Sequence, residues 1–349
     1  MRLLIAVLVV AALAYGLIWG WRQAVQHAGD YVQEVIFDSS GSPGAETLRF
    51  ASDYDLAGAG GLTIENDFGS VQVHPGGSEV SVGAIVYAGG KEPKALARAA
   101  NVSLTSSHEP DGGYLIRVKG DRERPRVRID LAVEVPPDVA LHLRLQSGNA
   151  RVTGHKASVD ISTSSGDVFV QGLGAGHAAT AVSGSVEAEA SMGPVRVQTA
   201  SGSIDLVGLR GDVSAKVSSG RISMRDVRGT AVTAETDSGP IELTGLDARN
   251  IHAHAVSGRL RLALARPFAG QLEAQATSGP IALSLPSGSS CRVRASTSSG
   301  VVSSNLPLVA ASTSRGEVKG RLGTGLGSVV LHTTSGSITL EPASLGNAG

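Results

Sequence analysis

The chain has 349 residues, of which 45 are Gly, with aromatics at 3% and charged residues at 17%. A formal net charge of −1 supplies no field that would draw a polyanion, so nucleic acid is not an expected partner. Regularly spaced Val, Ile and Leu exclude a disordered linker and point to a β-rich repeat with tight turns and a narrow core.

Residues 3–21, LLIAVLVVAALAYGLIWGW, carry no charge and lie between Arg2 and Arg22. As a helix rising 1.5 Å per residue, this run covers about 28 Å, close to the hydrocarbon core of a bilayer. Tyr15, Trp19 and Trp21 gather at its far end, where amphipathic rings favour the headgroup layer. Cleavage at Ala12-Leu13-Ala14 is the rival reading, but it would leave an unusually short leader. Residues 1–22 are therefore expected to be a single-pass transmembrane helix or signal anchor, placing the rest of the chain outside the cytoplasm. Residues 23–45 read as a linker, with a flexible break at Ser39-Ser40-Gly41-Ser42-Pro43-Gly44.

Residues 46–140 read as an N-terminal cap over the open end of a repeat array. Within them, 63–73 looks like one rung, with Phe68-Gly69 at its corner. Strands are predicted over 80–87, 102–105, 114–119 and 127–135. A short helix is predicted over 91–100, with Pro93 in its first turn.

From residue 141 to 341 the dipeptide Ser-Gly recurs, with its glycine at 148, 166, 184, 202, 220, 239, 258, 279, 300 and 336. Arg315-Gly316 falls in the one long gap. Two residues after each glycine stand Ala150, Val168, Val186, Ile204, Ile222, Ile241, Leu260, Ile281, Val302 and Ile338, with Val318 in the same place after Gly316. Polar residues separate this column from a second aliphatic one, which is the period-two pattern of a strand with one buried face. A second strand precedes each glycine, its inward positions turning small toward the corner, as in Ala253 and Ala255. One such unit cannot bury its apolar face alone, but stacking in parallel buries it and pairs every strand. The expected fold is all-β: a parallel β-solenoid of about eleven 18–21-residue rungs, roughly 50 Å long. Right-handed coiling is the expectation for parallel crossovers. Residues 342–349 form a tail.

Glycine at the corner supplies φ > 0 without steric cost, and the preceding serine is expected to hydrogen-bond the bend, as in an ST-turn. A nucleophile or phosphate loop would need a base fixed beside one of these serines, and no such partner recurs in the sequence. Ile64-Glu65-Asn66-Asp67-Phe68-Gly69-Ser70-Val71, then Val135-Pro136-Pro137-Asp138-Val139-Ala140-Leu141, then the Ser-Gly units, resemble the DUF4097 family of β-strand-repeat "putative adhesin" proteins. The resemblance spans about residues 60–341. It implies a β-helical envelope protein and brings no catalytic residues with it.

No protease, P-loop or dinucleotide motif occurs, and the outward columns lack the clustered acids and aromatic platforms of sugar-cleaving solenoids. The chain is expected not to be an enzyme, with no catalytic, cofactor or metal site. His252 and His254 make the sharpest polar group, with Glu235 expected beside His254 and Glu273 beside His252. Solvated Glu–His contacts are expected there rather than a divalent metal site. His177 reads as a loop or core histidine, and Cys291, the single cysteine, as a small residue tolerated in or near a turn. Two function classes follow: an adhesin-like module contacting cell wall, glycan or envelope protein, or a membrane-anchored structural or sensory accessory of a signalling system.

Overall fold

The computed structural model describes residues 36–38, 46–56, 60–67, 69–88, 102–110, 112–119 and 127–343. The expected helices over 1–22 and 91–100, most of the linker and the end of the tail lie outside the described residues. Among those described, every regular element is a β-strand, and no helix is long and apolar enough to cross a membrane.

Among the described residues, thirty strands build two 15-stranded sheets. Each rung gives one strand to each sheet and turns between them at its Ser-Gly corner. Val159–Ser165 and Val168–Gln171 form one such rung, alternating buried and outward residues along both strands. Pairing to the next rung is parallel and in register: Val159 faces His177, Ser165 faces Ser183 and Val168 faces Val186. The column read two residues after glycine is the core, with Ile204, Ile222 and Ile241 all fully buried.

The corner glycine is required twice over. Gly220 has φ +151°, and a Cβ there would run into the carbonyl oxygen of Gly202 in the neighbouring rung. The backbone ladder continues through the bend, since Gly166 N–H donates to Ser183 O at 3.0 Å. The serine hydroxyl is not the main local bond that was expected. Buried threonines take that role, Thr163 donating to Ser165 O at 3.2 Å and Thr199 to Gly184 O at 3.1 Å.

Each rung also has a third, short side that a two-strand reading omits. Leu173, Ser191, Leu209, Val227 and Leu246 stack inward there, all buried. Met192 N–H donates to Leu173 O at 2.8 Å and Arg210 N–H to Ser191 O at 3.0 Å, so this side is laddered too. The turn onto it needs a left-handed residue, for example Gly172 at φ +67° and Gly208 at φ +67°.

The N-terminal strands join the same two sheets. Gly61–Asn66 and Val71–Pro75 form the rung expected there, pairing in parallel with Ala140–Ser147 and Ala150–Thr153. Beyond it pairing becomes antiparallel, as between Glu46–Tyr54, Val80–Ala88 and Val127–Val135.

The C-terminal end departs from sequence order. Gly316 does not mark a rung: Val309–Thr313 and Glu317–Leu322 form an antiparallel hairpin on Cys291–Ser299. Ser304 still takes its place in the column opposite Leu340, but it brings no aliphatic side chain, and beyond it the chain leaves the stack and reverses. The last rung, Gly327–Ser335 with Ile338–Pro342, lies between the rungs of Gly279 and Gly300.

Candidate functional site

The outer face of the sheet holding Val159–Ser165 carries the expected polar group. Ala231–Ser238, Asn250–Ser257, Gln271–Ser278 and Gly327–Ser335 lie side by side there. Parallel register makes Glu235 the Cα partner of His254 and Glu273 the partner of His252, as the repeat spacing implied. A shallow groove of about 490 Å³ crosses these four strands, lined by Thr233, Asn250, His252, Gln271, Glu273 and Val330 among others.

Contacts in the groove are those of a solvated face. His252 Nδ1 stands 3.6 Å from Glu273 Oε2, with both side chains exposed by more than a third. The Gln275 amide also donates to the Glu273 carboxylate. Glu235 pairs with Lys216 Nζ at 3.1 Å. Exposed pairs of this kind contribute about 0–1 kcal/mol each. Among the described residues no three His, Cys, Asp or Glu side chains converge to hold a metal ion. The groove therefore offers carboxamides, the hydroxyls of Thr233 and Ser328, an imidazole and one carboxylate to whatever lies along it.

The buried polar residues sit elsewhere. His177 is 5% exposed in the inward column, and neither ring nitrogen has a hydrogen-bond partner. Burial pushes its pKa down to about 4. Apart from Val186, the other inward residues of its rung are small: Ala179, Ala181, Ala188 and Ser191. The imidazole supplies volume there that Ile161 and Leu173 supply in the rung before. Cys291 is fully buried, and burial pushes its thiol up to about 11, so it is not a ready nucleophile.

Two polar arrangements were not anticipated. Glu65 accepts from Arg117 and from Arg144 Nη1 at 3.2 Å, its Cα partners on the two flanking strands. The hydrogen bond from Arg117 is the main reason its carboxyl lies below the usual range. The matching positions of Glu65 and Arg144, each four residues before a corner glycine, were the available signal. The second arrangement is a run of polar side chains just after the corner glycines. Ser70 Oγ accepts from Asn149 N–H at 3.1 Å, Asn149 Oδ1 from Asp167 N–H at 2.9 Å, and Asp167 Oδ1 from Ser185 N–H at 2.8 Å.

No curated protein matches the chain. Similar solved structures include a "putative cell adhesion protein" from Clostridium sporogenes ATCC 15579, at 8% identity and TM-score 0.23, covering 85% of this chain and 100% of that one. A "putative adhesin" from Bacteroides fragilis NCTC 9343 has 12% identity and TM-score 0.30, covering 84% and 96%. Another from Parabacteroides merdae ATCC 43184 has 9% identity and TM-score 0.29, covering 87% and 98%. Likenesses this distant carry no argument about ligand or activity. The Toastrack DUF4097 family model matches residues 153–341, the greater part of the Ser-Gly stack. With more than half of its length matched, the chain belongs to the Toastrack DUF4097 family.

Proposed function

We propose that this protein is a non-enzymatic, adhesin-like binding module of the bacterial cell envelope. In this reading residues 1–22 anchor it in the membrane, the rungs coil right-handed outside the cytoplasm, and the groove over Asn250 and Gln271 takes a cell-wall or surface glycan. The groove carries the reading. Its carboxamides and hydroxyls both donate and accept and its carboxylate accepts, which suits a polyhydroxylated chain, and it crosses four strands. The non-enzymatic part is supported by the repetition itself. Within the stack the Ser-Gly serines pair with equivalent serines in the neighbouring rungs, such as Ser183 between Ser165 and Ser201, so none of these is singled out for chemistry.

The test uses full-length protein expressed in cells and then purified in detergent. It should fractionate with membranes, resist protease in intact cells, and sediment with isolated cell walls. Asn250→Ala with Gln271→Ala should abolish sedimentation while leaving the fold intact by circular dichroism. Undiminished binding by that variant would reject the groove, and a cytosolic protein would reject the envelope assignment.

A further inference from the structure

The last rung is inserted, not appended. Ser335 is the Cα partner of Ser278 on one side and of Ser299 on the other, and Ile338 is likewise placed between Ile281 and Val302. The backbone bonds repeat those of the rest of the stack: Gly279 N–H donates to Ser335 O at 2.8 Å and Gly336 N–H to Ser299 O at 3.0 Å. The slot is thus built to the common rung pattern. Residues 323–326, which include left-handed Gly323 and Gly325 and the exposed Leu326, join its occupant to the preceding strand.

We propose that this slot is a joining site between copies of the chain, filled in trans by residues 327–342 of a second copy. Three observations carry the proposal. Val329, Leu331, Ile338 and Leu340 are fully buried, so a released rung must find another slot of the same kind. An exchanged rung remakes the same contacts, so the closed and exchanged forms differ mainly at the hinge, the condition for domain swapping. Residues 286–290 now climb two rungs, although five residues span at most about 17 Å and rungs are about 4.8 Å apart. That connection reaches the filled slot and also a closed gap, so departure of the rung breaks no chain constraint. The four hinge residues reach about 14 Å, which requires the two slots to dock close together.

Full-length Ser278→Cys and Ser335→Cys proteins of different tag length, mixed and mildly oxidised, test this. Both serines are exposed, and Cys291 is buried. A disulfide-linked heterodimer should accumulate several-fold above the pair Ser219→Cys with Ser335→Cys, whose positions are not neighbours. Ser278→Cys/Ser335→Cys in one chain is the positive control for geometry. If that control oxidises within the chain while the mixture gives only the background of the Ser219 pair, the proposal is overturned. Ser278→Cys/Ser299→Cys reports departure of the rung separately, because two rungs of about 4.8 Å exceed disulfide reach while it is in place. Oxidation of that pair without the heterodimer also overturns the proposal, since the rung would leave without being donated.

Discussion

The Asn149 side-chain oxygen accepts the backbone N–H of Asp167, at 2.9 Å, and Asp167 does the same for Ser185 at 2.8 Å. At Ser70, Asn149, Asp167 and Ser185 the residue after the corner glycine thus supplies an acceptor for an N–H of the next rung at the bend. Farther along, Pro240 and Pro280 occupy the same place and have no N–H to satisfy. Asp167→Ala should cost about 0.5–1.5 kcal/mol, and Asp167→Asn much less, because the amide keeps an acceptor oxygen. Denaturant melts of the two variants check the difference.

The short-side turn has a column of left-handed positions, and two of them are not glycine. Ala190 has φ +48° and Asp226 φ +56°. An L-residue there carries roughly 1–2 kcal/mol of strain, offset in part by glycine's greater entropy loss. Ala190→Gly should therefore stabilise the protein by about 0.5–1 kcal/mol. Gly208→Ala should destabilise it by a similar amount, although its new Cβ would be 3.8 Å from the nearest atom. Opposite shifts in the urea midpoint are the expected readout.

His177 makes stability depend on acid. Its folded pKa is lowered from 6.5 to about 4 by burial, so the unfolded chain takes up the proton first. Stability is full above about pH 6.5 and falls toward pH 4 at up to about 1.4 kcal/mol per pH unit. Glu65, whose carboxyl lies below 4.5, has its effect at more acid pH. Melts at pH 7 and pH 5 should show the loss in the native protein and little of it in His177→Leu. An equal loss in both would place the acid sensitivity elsewhere.

His252 and His254 should not form a specific metal site, since Glu273 is engaged by His252 and Gln275, and Glu235 by Lys216. Titration of the full-length protein with Zn²⁺ should give weak heats that His254→Ala leaves unchanged. A sub-micromolar site removed by that substitution would contradict this.

Much of the stack was legible because a period of 18–21 residues repeats both chemistry and geometry. The column holding Ile204, Ile222 and Ile241 is apolar in sequence and fully buried in the structure. The His252–Glu273 pairing followed from the same spacing. The short side was missed because its marks are sparse: one inward residue per rung and a left-handed turn residue that is sometimes Ala190 or Asp226. Insertion of 327–342 was not legible at all. Leu272, Val329 and Val293 are interchangeable in the column, so residue pattern gives register but not the order of rungs.

The stacking itself is tested most directly by placing the same charge at two adjacent positions. Ile222 is fully buried between Ile204 and Ile241, whereas Arg221 is exposed. Ile222→Asp buries an unpartnered carboxylate and forfeits apolar burial that is itself worth about 1.5–3 kcal/mol. Arg221→Asp should stay within about ±0.5 kcal/mol of the native protein. Guanidinium melts of both variants should show a large loss for Ile222→Asp and almost none for Arg221→Asp. Equal losses would mean that the two-residue alternation lies on the wrong phase, and the parallel stack of rungs built on it would be contradicted.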